Sequence, residues 1–162
     1  MTKYYFLIVA FFLPSLVFAD TDILLKKLIN TSECIQCDLS NLDLKKVNFW
    51  NANIMQSDFS KTNLTRSNLH GANLSKAIFN QAVLIGVQLQ SANLNNANFE
   101  KARATASDLT GASLVEAKLN KADFRGSNMQ AVEFTNGEAI NANMKSINFT
   151  GANLSNSNFS NS

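Results

Sequence analysis

Cys34 and Cys37, the ends of a Cys-Ile-Gln-Cys segment, are the one pair in this 162-residue chain whose type and spacing suggest reactivity. Two thiols three positions apart can close a disulfide in an oxidising compartment. They can also exchange disulfides, but that chemistry favours a first thiol at a helix start, where its pKa is lowered. The residues after Cys37 have no helical pattern. A structural disulfide, or a pair of buried thiols, therefore fits the segment better than thiol exchange. Zinc would need four ligands, and the single histidine, His70, is distant. No Ser, His and acid are spaced as a nucleophilic triad, and no Gly-rich phosphate loop occurs. No catalytic residue, cofactor or metal is expected, and no enzyme.

The element that must position these residues is a repeat. From Cys37 to Asn161, twenty-five consecutive five-residue blocks run without an insertion, each centred on Leu, Phe, Ile, Met or Ala. The centres begin at Leu39, Leu44, Phe49 and Ile54 and end at Phe149, Leu154 and Phe159. Two residues before each centre stands a small or modest side chain, most often Ala, and just before it, in nearly all blocks, a polar one, most often Asn or Asp. A period of five matches neither the 3.6 of a helix nor the 2.0 of a strand, so one block cannot bury its own centre. Only stacked coils can make a core from such blocks.

The blocks GANLS at 71–75, SANLN at 91–95 and GANLS at 151–155 resemble the pentapeptide-repeat family. The resemblance covers about three quarters of the chain, and the run CIQCDLS from Cys34 to Ser40 resembles the approach to the coils in many members. It implies an all-β fold, a right-handed quadrilateral β-helix with four blocks per coil and about six coils. Centre and small residue would point inward and the other three outward. At about 4.8 Å between paired strands, the rod would be on the order of 30 Å long.

Three segments are expected. Residues 1–19 read as a secretory signal, with Lys3 at its start, an apolar run from Phe6 to Phe18, and a cut before Asp20. Residues 20–36 form a lead-in. Within it, Ile23, Leu24, Leu28 and Ile29 share one face of a short capping helix that starts at Thr21 or Asp22 and ends near Asn30. Residues 37–161 form the β-helix. After Phe159 only three residues remain, so Met144, Phe149, Leu154 and Phe159 are expected to line an open coil that invites end-to-end pairing into a homodimer.

With four blocks per coil, residues twenty apart stack, and the surface divides into four strips. The strip around Leu44, Leu64, Leu84, Ala104, Phe124 and Met144 carries Lys45, Lys46, Arg66, Arg103, Arg125 and Lys145 against Asp43 and Asp123, a net of +4. The strip around Leu39 and Phe59 balances its charges, that around Phe49 and Leu69 carries only Asp108, and that around Ile54 and Leu74 carries Lys76, Glu116 and Glu133. The overall +2 thus hides one basic side. Near its middle, Val83 and Ile85 stand at outward positions, with Ile78 one corner away. These three, with Lys45, Arg66, Arg103 and Arg125, are the candidate partner-binding residues. His70 shares an outward column with Trp50 and is expected to be solvated. Inside, Leu39, Phe59, Phe79, Phe99, Leu119, Ala139 and Phe159 form a ladder with a gap at Ala139. Ala104 is a second gap, and Gly137 to Asn141 is expected to be the loosest stretch.

These features describe a noncatalytic exported scaffold that binds a protein or orders an assembly. An exported effector acting on a host or neighbouring cell is an alternative. The resemblance offers another, because its best-understood members mimic DNA and protect DNA gyrase. That role needs an acidic rod in the cytoplasm, whereas this chain has a signal and a basic surface. The expected partner is an unidentified protein. Nucleic acid is disfavoured, because +4 along such a rod is modest, and no stable membrane insertion is expected once the signal is cut.

Overall fold

The computed structural model describes Lys26, Leu28 and residues 30–162. The signal, its cut and most of the amphipathic lead-in lie outside the described residues. Lys26, Leu28, Asn30 and Thr31 have helical geometry, and Leu28 is 1% exposed within the hydrophobic core. Ser32 leaves that geometry at φ 55, its amide bonded to the Leu28 carbonyl at 2.8 Å.

From Gln36 to Asn161, the second residue after every centre has a positive φ, between 52 and 71. Across most of these corners the centre's carbonyl accepts the amide three residues on, as from Ala52 to Phe49 at 3.0 Å and from Ala72 to Leu69 at 3.1 Å. A left-handed third residue closed by that bond is a type II turn. Each block is therefore a short extended piece ended by a corner.

Where Asn or Asp stands before a centre, it usually has a local task. Its Oδ1 accepts the amide of the residue after the centre, as in Asn48 to Trp50 at 3.2 Å, Asn68 to His70 at 3.0 Å and Asn158 to Ser160 at 2.9 Å. Such Asx bonds compete with helix formation and so suit a chain that must bend at every block.

Four corners complete a coil. Parallel bridges pair residues twenty apart, from Glu33 with Asn53 to Glu138 with Asn158. Backbone bonds between coils run both ways, from Asp58 to Cys37 at 2.9 Å and from Leu39 to Asp58 at 2.8 Å. The four sides are named here by their first regular centres: Leu39, Leu44, Phe49 and Ile54. The coil register extends one block upstream of the expected start at Cys37. Glu33 bridges Asn53, the Cys34 amide reaches the Asn53 carbonyl at 2.8 Å, and Cys34 occupies a centre at 4% exposure.

Centres and small residues fill the interior, and most are fully buried. The polar exceptions, Ser57, Thr62, Ser67, Ser107 and Ser127, are buried too. Each donates its hydroxyl to a carbonyl of the preceding coil, as Ser67 does to Leu44 at 2.7 Å, so its burial carries little penalty. At three corners the hydroxyl also inserts into the turn. Ser57 accepts from Cys37 and donates to Cys34, Ser127 does so between Ser107 and Ala104, and Ser157 between Gly137 and Phe134.

The aromatic ladder is shorter than expected. Phe59, Phe79 and Phe99 stack, with centroids 5.0 and 4.6 Å apart. Phe99 then meets Phe124 edge-on at 5.8 Å, and Phe124 belongs to the column that Ala104 leaves thin. The expected hollow at Gly137 is occupied as well. A Cβ there would collide with the Phe134 ring, which in turn meets Phe159 edge-on at 5.5 Å, and Ala139 is fully buried. The smallness of Gly137 is what admits a neighbouring aromatic ring. Gly137→Ala should therefore destabilise the coils by about 1–3 kcal/mol through overpacking. A denaturant midpoint equal to or above that of the unaltered chain would count against this packing.

Candidate partner-binding faces

Cys34 and Cys37 are joined as a disulfide, with Cα atoms 5.6 Å apart. The bond spans the corner between the Ile54 and Leu39 sides, the same corner into which Ser57 inserts. Both cysteines belong to coil blocks, and Cys34 lies in the core. The arrangement clamps a turn and offers no helix start that would activate a thiol. Among the described residues, no group of His, Cys, Asp and Glu could hold a metal ion.

On the Leu44 side, outward residues flanking one centre lie close enough to pair. Lys45 meets Asp43 at 2.9 Å, and Arg125 grips both oxygens of Asp123 at 2.9 and 2.7 Å. Two of the four candidate cations are thereby spent on neighbours, because a residue just before a centre and one just after it project from the same strand face. Lys46, Arg66, Arg103 and Lys145 are exposed and make no ion pair among the described residues. They carry the side's net +4. Arg103 also acts at longer range on Asp123.

The three apolar candidates are not equivalent. Ile78 is 37% exposed, whereas Val83 and Ile85 are half-buried. Val83 bridges Asn63 and Arg103 in register, which brings Arg103 beside it. The Arg66 stem passes Gly86, next to Ile85, with Cγ 3.7 Å from where a Gly86 Cβ would stand. Ile78, Val83 and Ile85 thus form a shallow strip bordered by two unpaired arginines.

Sequence reasoning missed the most exposed large apolar residues. Trp50 is 56% exposed on the Phe49 side, and Ile35 is 49% exposed on the disulfide corner. Trp50 was readable as an outward residue in a column with His70, and its bulk was the available signal. His70 itself is half-buried, with its amide held by Asn68 at 3.0 Å.

Three carboxyls are held below the usual range. For Asp38 the cause is the Ser40 hydroxyl and amide, the amide at 3.0 Å. For Asp123 it is chiefly the Arg125 guanidinium, against partial burial. For Asp108, burial opposes ionisation most strongly, but bonds from Thr110 and Gln90 together outweigh it.

Four-sided parallel coils of five-residue blocks, with the small residue and centre inside, define a right-handed quadrilateral β-helix. The chain belongs to the family described as Pentapeptide repeats, which matches in 8 copies over residues 32–71, 67–103, 92–131, 107–145 and 127–162. No curated protein sequence matches. Among solved structures, it is similar to a pentapeptide repeat protein of the cyanobacterium Cyanothece 51142, with 22% identity over 86% of this chain and 99% of that one, at a TM-score of 0.36. A pentapeptide repeat protein of the Arabidopsis thaliana thylakoid lumen is 30% identical over 73% of this chain and 65% of that one, at a TM-score of 0.31. QnrB1, a plasmid-mediated fluoroquinolone resistance protein, is 18% identical over 77% and 74%, at a TM-score of 0.33.

Two tests follow from the clamp and the carboxyls. Closing a loop this short should contribute about 2 kcal/mol, so replacing both cysteines with serine should lower unfolding stability by at least that much. A variant as stable as the unaltered chain would remove the clamp's structural role. Carboxyls whose folded pKa is lowered stabilise the fold above their ordinary value of 3.8, and that contribution is lost as pH falls through the lowered values. Asp108→Asn keeps an acceptor for Thr110 and should flatten the loss of stability measured between about pH 5 and pH 2. An equally steep loss in that variant would show that Asp108 is not a source of it.

Proposed function

We propose that this pentapeptide-repeat protein is a noncatalytic exported scaffold that docks another protein on its Leu44 side. One observation carries the reading: Arg66 and Arg103 border the Ile78, Val83 and Ile85 strip, and these two with Lys46 and Lys145 further along the side stand exposed with no ion pair among the described residues. A small apolar strip bordered by exposed positive charge suits a partner with an apolar anchor inside an acidic rim. Blocks run through the described coils with no inserted loop on which catalytic groups could be held out. Export is inferred from the basic and apolar start of the sequence, and the disulfide suits an oxidising compartment. An effector role outside the producing cell would use the same docking side. A gyrase-binding DNA mimic is disfavoured by the positive charge of that side and by the signal.

A second copy is a further proposed partner. The centres Met144, Phe149, Leu154 and Phe159 are only half-buried, unlike the centres of the inner coils. End-to-end contact between two such coils would cover them.

The decisive experiment is crosslinking capture from the producing cell's envelope and medium. It would use the unaltered chain beside a variant with Ile78→Asn, Val83→Asn, Arg66→Gln and Arg103→Gln. Asn at 78 and 83 supplies the residue that most other blocks carry there, so the coils should persist. The expected result is a partner held only by the unaltered chain, recovered with a mature chain beginning at Asp20. Equal capture by both chains would overturn the docking side, and a retained residue 1–19 segment would overturn export as a cleaved protein.

A further inference from the structure

The Phe49 side presents something different from the other three. Of its eighteen outward residues, only Asp108 is charged when His70 is neutral. The remainder are amides, hydroxyls, small residues, His70 and Trp50.

Glycine is concentrated along its edges. All five left-handed glycines border this one side, Gly86 and Gly126 along one edge and Gly71, Gly111 and Gly151 along the other. Conformation does not require glycine at these corners. Lys61, Lys101 and Lys121 hold φ 59, 59 and 60 at equivalent corners, and the two edges away from this side carry only Lys, Asn, Gln or Glu. What glycine contributes is the lack of a side chain at five of the twelve edge corners. Asn51 reaches over the Gly71 corner and the Arg66 stem passes Gly86, so the edges are lowest at Gly126 and Gly151, where no atom lies within 4 Å of a Cβ position.

The polar groups on the plane are also held in place. Gln90 Nε2 donates to Asp108 Oδ2 at 2.9 Å, Thr110 Oγ1 donates to Asp108 Oδ1 at 2.6 Å, and Asn128 Nδ2 donates to Thr110 Oγ1 at 2.9 Å. This chain of bonds crosses three coils and occupies both oxygens of the side's one carboxylate, which stays ionised. The buried Oε1 of Gln90 has no hydrogen-bond partner among the described residues. Groups fixed in advance lose little entropy when a ligand arrives.

We propose that the Phe49 side binds an uncharged polysaccharide strand laid along it. The sugar hydroxyls would pair with the ordered amides and hydroxyls, and Trp50 would stack against the C–H face of one ring. The chemistry selects this occupant over others. An anionic polymer would be drawn to the Leu44 side instead, with its net +4. A protein partner would need a cluster of apolar anchors, and this side has Trp50 alone among exposed large apolar residues. A neutral sugar chain asks for what is present: a flat polar plane, an exposed indole and edges lowered at Gly126 and Gly151. The inference stands apart from the protein-docking reading, because it uses a different side.

The test is calorimetric titration with cellohexaose, chitohexaose and maltohexaose in low salt and in about 0.5 M salt. The unaltered chain would be compared with Trp50→Ala, Gly126→Lys and Asn96→Lys. Trp50 is largely exposed, no atom lies within 4 Å of a Cβ at Gly126, and lysine already occupies equivalent corners, so each variant should fold. Thermal melts would verify that. The expected result is binding of at least one hexasaccharide that persists in salt. It should weaken about tenfold in Trp50→Ala, weaken in Gly126→Lys, and stay unchanged in Asn96→Lys on the far edge. The proposal is overturned if none of the three binds, if salt abolishes binding, or if Trp50→Ala and Gly126→Lys bind like the unaltered chain.

Discussion

The corner two residues after each centre is the constraint from which the rest of the structure follows. There the backbone must enter the left-handed region, which costs a residue with a Cβ about 1–2 kcal/mol. Only five of these corners are glycine, so the chain meets that cost at Lys, Asn, Gln, Ser, Ala, Arg and Glu positions along its length. What offsets it is the ladder. Each corner aligns a short extended piece so that its amides and carbonyls meet the coils before and after it, as the paired bonds around Asp58 show. A coil alone would have the corners without the ladder. Stability is therefore a property of neighbouring coils together, and the interior of Leu, Phe and Ala is assembled by the same stacking.

Much of this was legible in the five-residue period because centre, small residue and Asx residue each have a distinct physical task. The number of blocks per coil was not derivable from the period and came through family resemblance. Cys34 was read as part of the lead-in because the residues before it, Thr31 to Glu33, lack the habitual Ala and Asn. The structure nevertheless places it as a centre. Gly137 looked like a hole because a sequence reading counts volume within one block. Phe134, from the block before, supplies the missing volume across the corner. The pairing of Lys45 with Asp43 and of Arg125 with Asp123 needed only the observation that residues flanking one centre project from the same strand face.

The four sides share one backbone and differ only in what stands at the outward positions. On the Leu44 side, the charges left over after local pairing give a field. On the Phe49 side, the near absence of charge and the glycine-rich edges give a plane. The opposed placement of the Leu44 side and the more acidic Ile54 side, with Glu33, Glu116 and Glu133 against Lys76, also gives the cross-section an electrical asymmetry. Such a rod would orient in the field of a charged surface before making any contact.

The fixed pairing of residues twenty apart also has a mechanical meaning. A chain pulled from its C-terminal end would not come apart all at once, because each coil is held only by the one before it. It would unwind like thread from a spool, each freed turn adding roughly 65 Å of extended chain. The inserted hydroxyls at the Phe134 and Ala104 corners would mark the places where the thread catches. The Cys34 to Cys37 bond would keep one corner of the final coil folded after the coils beyond it had come away.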